Sequence, residues 1–346
     1  MKYLNPLHLK ETIFSTLIKL DVVEEAATHV AESLVTTSLR GVDSHGINLF
    51  PHYVRAVKAG RIKARPNITV TQTAKSTTKL DADHAFGHHA GSVAMTEAVK
   101  LASQTGIGAV SVSNSTHFGA AAYFALQATK SDCIGFAFTN ADALVKAYGA
   151  KEAFFGSNPI CFAAPLEHEE PYCLDMATSL VSWNKILNFR RRGEKIPSDW
   201  AFDAGGSFVD DPTLAVSLNP AGSYKGFGLG MMVDILCALL SENPISKELL
   251  PMYNAPIEAR RKISHFFLAL SISHFTNPDT FRVSLQSMVE RIRNMQPSDP
   301  DVPVMVAGDP QKIAYASRLE TGIPVEETKL AELIAANGAF ANVICL

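Results

Sequence analysis

Apolar positions in the N-terminal 60 residues recur with helical spacing. Ala27, Val30, Ala31 and Leu34 stand at i, i+3, i+4 and i+7, which makes one stripe, and Asp21 with Glu24 three positions later has the form of a capping box. The stripe fades at Leu39 into the turn-rich run Arg40-Gly41-Val42-Asp43-Ser44-His45-Gly46. A second helix is predicted from Phe50 to Ala59, stopped by Gly60. From Asn67 the period changes. Ile68-Thr69-Val70-Thr71 alternates and Thr77-Thr78-Lys79-Leu80 is rich in β-branched residues, so both read as strands. Helices are predicted over Gly91–Thr105, with Gly106 as the residue after the cap, and over Ala120–Lys130; strands over Gly108–Ser113 and Ile134–Thr139. This alternation continues to Leu240, the pattern of an α/β sheet covered by helices. Beyond Pro278 the chain reads as helical again, over Thr280–Met295 and Val325–Ala336. The division expected is a helical segment 1–65, an α/β core 66–275, and a segment 276–346 that packs back on the N-terminal helices to make a helical lobe.

Composition narrows the classes. The chain has 346 residues, 31 Lys and Arg against 34 Asp and Glu, and 47% hydrophobic residues. That length points to more than one lobe, and the apolar fraction excludes a mainly disordered chain. The slightly acidic balance, with only Arg190-Arg191-Arg192 as a basic run, argues against nucleic acid as a partner. The five cysteines (Cys133, Cys161, Cys173, Cys237, Cys345) are scattered and include no C-x-x-C pair, which fits reduced thiols in the cytoplasm. Met-Lys-Tyr-Leu-Asn-Pro lacks the apolar stretch of a signal peptide. The most apolar segment, Gly226 to Leu240, contains Asp234 and is too short to span a bilayer; it is expected to be a buried helix. No membrane partner is expected.

Two histidines lie in polar, glycine-bearing turns: His45 in Asp43-Ser44-His45-Gly46, and His117 in Asn114-Ser115-Thr116-His117-Phe118-Gly119, directly after a predicted strand. Strand-end loops in α/β sheets are where ligands usually bind, and imidazole exchanges protons near neutral pH. The plain alternative is that each ring only fixes its own turn. A second group, Asp81, Asp83, His84, His88 and His89, includes an i, i+4 histidine pair, but Ala85 breaks H-E-x-x-H and the segment reads as a turn, so no metal is expected. G-x-G-x-x-G between a strand and a helix is absent, as is G-x-x-x-x-G-K-[ST]. Any dinucleotide must therefore be held otherwise, for instance by backbone amides at helix N-termini. Asp175-Met176-Ala177-Thr178-Ser179, Tyr224-Lys225-Gly226 and Ala307-Gly308-Asp309-Pro310 are turns able to supply them.

At these residues the sequence resembles a family, the malate/L-lactate dehydrogenase type of oxidoreductases. It includes ureidoglycolate dehydrogenase, L-sulfolactate dehydrogenase, diketogulonate reductase and piperideine-2-carboxylate reductase, and is distinct from the Rossmann-type lactate and malate dehydrogenases. The matching stretches are 39–46, 115–120, 156–159 with 162–165, 174–179, 196–197 with 200–201, and 225–229. The resemblance implies a non-Rossmann NAD(P)-binding sheet within the 66–275 core, NAD or NADP as cofactor, a homodimer, and hydride transfer between the nicotinamide and a small 2-hydroxy or 2-oxo acid. It implies His45 and His117 as catalytic, Ser44, Tyr53 and Asp142 on the substrate side, and Asp175, Met176, Ala177, Thr178, Ser179, Lys225, Gly226, Gly308 and Asp309 at the cofactor. A cyclic imino acid reductase and a catalytically silent ligand-binding homologue are the alternatives left open. Several relatives carry a basic residue four positions after the motif histidine to meet a substrate carboxylate, where this chain has Leu49. Lys146, or a cation elsewhere in the chain, is then expected to meet it. Arg190 to Arg192 suit either a 2′-phosphate or a solvated helix face.

Overall fold

A computed structural model describes residues 1–344; Cys345 lies outside the described residues. The central element is a seven-stranded sheet in the order Thr69–Ala74, Thr77–Asp81, Ile107–Ser115, Ile263–Ser271, Cys133–Thr139, Ile160–Ala164, Tyr172–Met176. Thr77–Asp81 and Ile107–Ser115 run parallel, joined by the crossover helix Gly87–Thr105; the other neighbours in this sheet are antiparallel. The fold is thus a mixed α/β arrangement without the parallel order of a doubly wound sheet. Ile263–Ser271, from late in the chain, is inserted between two strands that precede it by more than a hundred positions.

Helices Gly87–Thr105 and Ala122–Thr129 cover one face, over a core that includes Phe118, Phe124 and Phe267. They lie so close that a Cβ on Gly108 would meet the Ala98 carbonyl at 2.0 Å, and one on Gly135 the Ala125 carbonyl at 2.4 Å. Glycine in these strands is a packing requirement. The other face is covered by the helix Tyr224–Asp234 and its π-helical continuation Ile235–Leu239, through Val233 and Cys237 against Phe138. A five-stranded sheet (Phe208–Val209, Ala201–Phe202, Ser217–Leu218, Val145–Lys146, Ala153–Phe155) stands beside it with its own small core.

Both chain ends share a further core. The predicted stripe Ala27, Val30, Ala31 and Leu34 is fully buried there, with Leu9 and Ile13 from Pro6–Lys19 and with Ile323, Leu333 and Phe340 from the tail. The strand Lys2–Leu4 pairs with Ile323–Val325.

Several expectations are corrected. The capping box does not form: Val23 is the N-cap of Glu24–Leu39, while Asp21 adopts a φ of 61° and pairs with Arg65 at 2.6 Å. The crossover helix starts at Gly87 rather than Gly91, and the next at Ala122 rather than Ala120. Within the tail read as helical, Asp309–Thr321 forms a further helix between the two whose bounds are predicted. The segment from Gly226 to Leu240 is helical but only half buried: Gly230, Val233 and Cys237 face the sheet, whereas Leu229, Met231, Ile235, Leu239 and Leu240 are exposed. One sheet face can cover only one side of a helix, and this segment is apolar on both.

Candidate active site

His45 is placed by a turn between the helices Glu24–Leu39 and Phe50–Lys58. A Cβ on Gly46 would sit 2.0 Å from Ser38 Oγ, which accepts a hydrogen bond from the Ile47 N–H at 3.0 Å. From the tail, Arg318 donates to the Ser38 carbonyl and to both Asp43 carboxylate oxygens, so the turn is anchored from two sides. His117 follows the strand Ile107–Ser115. The two imidazoles stack with centroids 5.7 Å apart and planes 23° apart.

His45 Nδ1 contacts Ser44 Oγ at 2.9 Å, and His117 Nδ1 contacts the hydroxyl of the buried Tyr53 at 2.7 Å. The Gly119 N–H also donates to His117 Nδ1, at 3.4 Å. A backbone amide can only donate, so Nδ1 is an acceptor and the neutral ring carries its proton on Nε2. Burial pushes the His45 imidazole down to about 4. Burial, with neighbouring His45, His88 and Arg261, holds His117 well below the ordinary histidine range. Both rings are neutral at pH 7.

The histidines open onto a cleft of about 1640 Å³, larger than an ordinary small-molecule pocket. Ser44, Asp175, Met176, Ala177, Ser179 and Gly308 also line it. Asp175 accepts a hydrogen bond from the Ala122 N–H at 2.9 Å, at the start of Ala122–Thr129; burial raises its carboxyl to about 6 against that hydrogen bond and the charge of Arg40. Gly308 is the N-cap of Asp309–Thr321, has a φ of 98° and packs on the Cys173 backbone. In the first turn of this helix the Asp309 N–H is bonded to the Val306 carbonyl and Pro310 has no N–H, which leaves the Gln311 amide, on the cleft lining, to meet an anion.

The remaining candidates do not line the cleft. Thr178 is buried and donates to the Ser157 carbonyl at 3.0 Å. Asp309 is paired with Arg293 and accepts from the Val306 N–H. Gly226 packs against the Ala221 backbone, while Lys225 is exposed on the first turn of its helix; the cleft wall reaches Ala221. Asp142 forms an ion pair with the buried Arg261. Sequence reasoning missed Arg261, which nothing local distinguishes from other arginines.

Lys146 is not at the cleft: its ammonium donates to the Ala150 carbonyl at 2.7 Å and lies 4.4 Å from the Phe202 ring centroid. Leu49 is a core residue. Arg190 donates to the Pro212 and Ala215 carbonyls and Arg192 pairs with Glu194, away from the cleft lining. His84 and His88 do not share a helix, since the helix begins at Gly87. Among the described residues no group of three or more His, Cys, Asp or Glu side chains is arranged to hold a metal.

The profile of the malate/L-lactate dehydrogenase family matches residues 5–334. The chain belongs to that family. It is an oxidoreductase, and its relatives share it nearly end to end. A malate dehydrogenase of Pyrococcus abyssi is 36% identical, over 94% of this chain and 92% of its own. The NAD(+)-dependent ureidoglycolate dehydrogenase of Escherichia coli K12 is 32% identical, over 92% and 90%. Among solved structures, malate dehydrogenase from Entamoeba histolytica superposes with a TM-score of 0.92 at 28% identity, covering 98% of both chains. Sulfolactate dehydrogenase from Methanocaldococcus jannaschii superposes at 0.90 and 29%, covering 98% and 97%. For this dehydrogenase, family membership accounts for the missing glycine fingerprint: the sheet is of another kind.

Proposed function

We propose that this dehydrogenase interconverts a small 2-hydroxy acid and its 2-oxo acid with NAD, and that the His45–His117 pair holds the reacting oxygen. The observation that carries this reading is the stacking of two neutral imidazoles at the wall of a dinucleotide-sized cleft. The nicotinamide, when bound, supplies or accepts the hydride. The protein positions the acid and handles the hydroxyl proton. Neutral His45 takes that proton during oxidation. His117, whose Nδ1 is occupied as an acceptor, presents Nε2–H to the same oxygen and polarises it. Arg261, a buried cation held by Asp142 and by the Leu250 carbonyl just behind the cleft lining, is the group assigned to the substrate carboxylate in place of the cation that Leu49 cannot provide. The segments 175–179, 225–226 and 308–309 hold the dinucleotide, the last at the start of the helix Asp309–Thr321, where Gly308 brings the backbone to the cleft.

NAD is preferred to NADP because the basic run 190–192 is engaged away from the cleft, and because the E. coli relative is named for NAD(+). With the division placed at 65 and 275, the cleft lies where the three segments meet: Ser44 and His45 come from the first, His117 and Asp175 from the core, and Gly308 from the last. Two copies associate through the exposed apolar helix 224–240. The scattered cysteines, without a C-x-x-C pair, support a reducing, cytoplasmic setting.

The test is turnover of NADH with a panel of 2-oxo acids, and of NAD with the hydroxy acids. His45→Ala is expected to lower kcat by about 10²–10⁴-fold, the usual contribution of a positioned acid–base group, with NADH affinity unchanged. Activity equal to wild type removes His45 from the mechanism. No turnover of any acid, with turnover of a cyclic imine, transfers the reading to imine reduction.

A further inference from the structure

We propose that His265 is a positioning residue for the reaction: it ties together the two loops that carry His117 and Asp142, so that breaking its hydrogen bonds slows chemistry by displacing His117. This rests on the hydride-transfer reading above. His265 is fully buried in the central strand Ile263–Ser271. Its Nε2 lies 2.8 Å from Ser115 Oγ, two residues before His117, and its Nδ1 lies 2.8 Å from Thr139 Oγ1, three residues before Asp142. The ring is stacked on Phe118, the residue after His117, at 4.7 Å and 12°. One side chain thus spans three adjacent strands just where two of them end at the site.

Thr139 Oγ1 has backbone acceptors for its one proton in the Asn140 and Ser264 carbonyls, at 3.0 and 3.1 Å, which assigns it as the acceptor of His265 Nδ1–H. Nε2 then accepts from the Ser115 hydroxyl, whose alternative acceptor, the Thr116 carbonyl, is distant at 3.5 Å. The register of Ile263–Ser271 against Ile107–Ser115 shifts between Ile263 and His265, an irregularity of the kind that re-aims side chains next to active sites. Ser264 is held there by Asn140, which accepts from its N–H at 2.9 Å. Burial keeps the His265 ring neutral, pushing it down to about 3. An imidazole among Phe118, Phe124 and Phe267 is a poor choice for packing alone, since an apolar side chain would fill the space without two buried polar atoms to satisfy. What the imidazole adds is a fixed link between strand ends.

Ser115→Ala removes the link on the His117 side without touching the core ring. Expected is a fall in kcat of about tenfold, with the KM for the acid and the affinity for NADH within twofold of wild type. In a His117→Ala background, Ser115→Ala is expected to change kcat by less than twofold, because the residue through which it acts is gone. An equal tenfold loss in both backgrounds, or no loss in either, overturns the proposal. His265→Asn, which keeps a group at the Nδ1 position only, should match Ser115→Ala; His265→Leu should be worse than either. A readout independent of turnover is the ring spectrum of ¹⁵N-labelled histidine. Wild-type His265 should show the Nδ1–H tautomer, and Ser115→Ala should shift the His117 ring signals. Unshifted His117 signals overturn the proposal even if the protein reduces no 2-oxo acid, an outcome that by itself overturns only the hydride-transfer reading.

Discussion

A histidine walled in by protein exchanges protons at a different pH from one in water, and this sets the pH profile. Burial lowers His45 to about 4, so its neutral, proton-accepting form is complete across the neutral range. Hydroxy-acid oxidation should therefore rise with pH only up to about 4 and run flat through 6.5, where an ordinary histidine would still be titrating. In the reduction direction the protonated ring is the donor, so kcat/KM should fall about tenfold per pH unit above about 4. Both limbs should vanish in His45→Ala; a limb near 6.5 that survives the substitution assigns the proton to another group. Arg261 makes a separate prediction. Arg261→Lys keeps the charge but loses the planar fork, and the KM for the acid should rise about 10- to 100-fold while NADH affinity holds. An unchanged KM would place the carboxylate elsewhere. The two site histidines are legible in the sequence because polar, glycine-bearing turns set them apart. Arg261 and His265 are not, because what makes them matter is the Asp142 carboxylate and the strand ends that folding brings to them.

Elements differ in legibility for a related reason. The buried stripe of Glu24–Leu39 is periodic and readable, as are the strands on either side of Gly87–Thr105, whereas their parallel pairing is set by the fold. Asp309–Thr321 buries only Asp309, so it leaves no apolar period to read. Ile263–Ser271 is a short, largely apolar run of the kind that periodicity alone does not separate from helix, and its central place is set by partners far away in the chain. What holds Asp309–Thr321 is charge. Glu169, in the loop before Tyr172–Met176, pairs with Arg293 and with Lys312, while Arg293 also binds Asp309. This network brings Gly308 to the backbone of Cys173 beside the cleft. Hydrogen bonds from Arg293, followed by Lys312 and Gln286, outweigh burial and hold the Glu169 carboxyl down at about 2, below its ordinary 4.5. The stabilisation is thus fully present above about pH 4.5 and is lost as pH falls toward 2. Glu169→Gln should lower the melting temperature at pH 7, with the gap to wild type closing between pH 4.5 and 2. A gap independent of pH would show that the carboxylate charge is not what stabilises the contact.

At the scale of the whole molecule, the segment 224–240 carries the clearest sign of a missing neighbour. Met231 is 51% exposed, Ile235 42%, Leu239 57% and Leu240 47%, on a helix whose opposite side already covers the sheet. Composition alone made this segment look like core, since a helix apolar all round is ordinarily buried. The structure buries one side within the chain, and a second copy meeting the other side satisfies the same rule. In the proposed dimer an isologous contact would place Met231, Ile235 and Leu239 near their own equivalents and remove their exposed halves from water. A charge in that stripe is then buried twice, once per copy. Ile235→Asp should convert the dimer to monomer by sedimentation at micromolar concentration. Val70→Asp should leave the mass unchanged, because Val70 is similarly exposed, at 45%, but lies on the outer hairpin. The same helix begins at Tyr224, three residues after Ala221 on the cleft wall, so the Ile235→Asp monomer should also bind NADH more weakly than the dimer. A wild type that sediments as a monomer, or an Ile235→Asp variant that remains dimeric, would move the subunit contact off this helix.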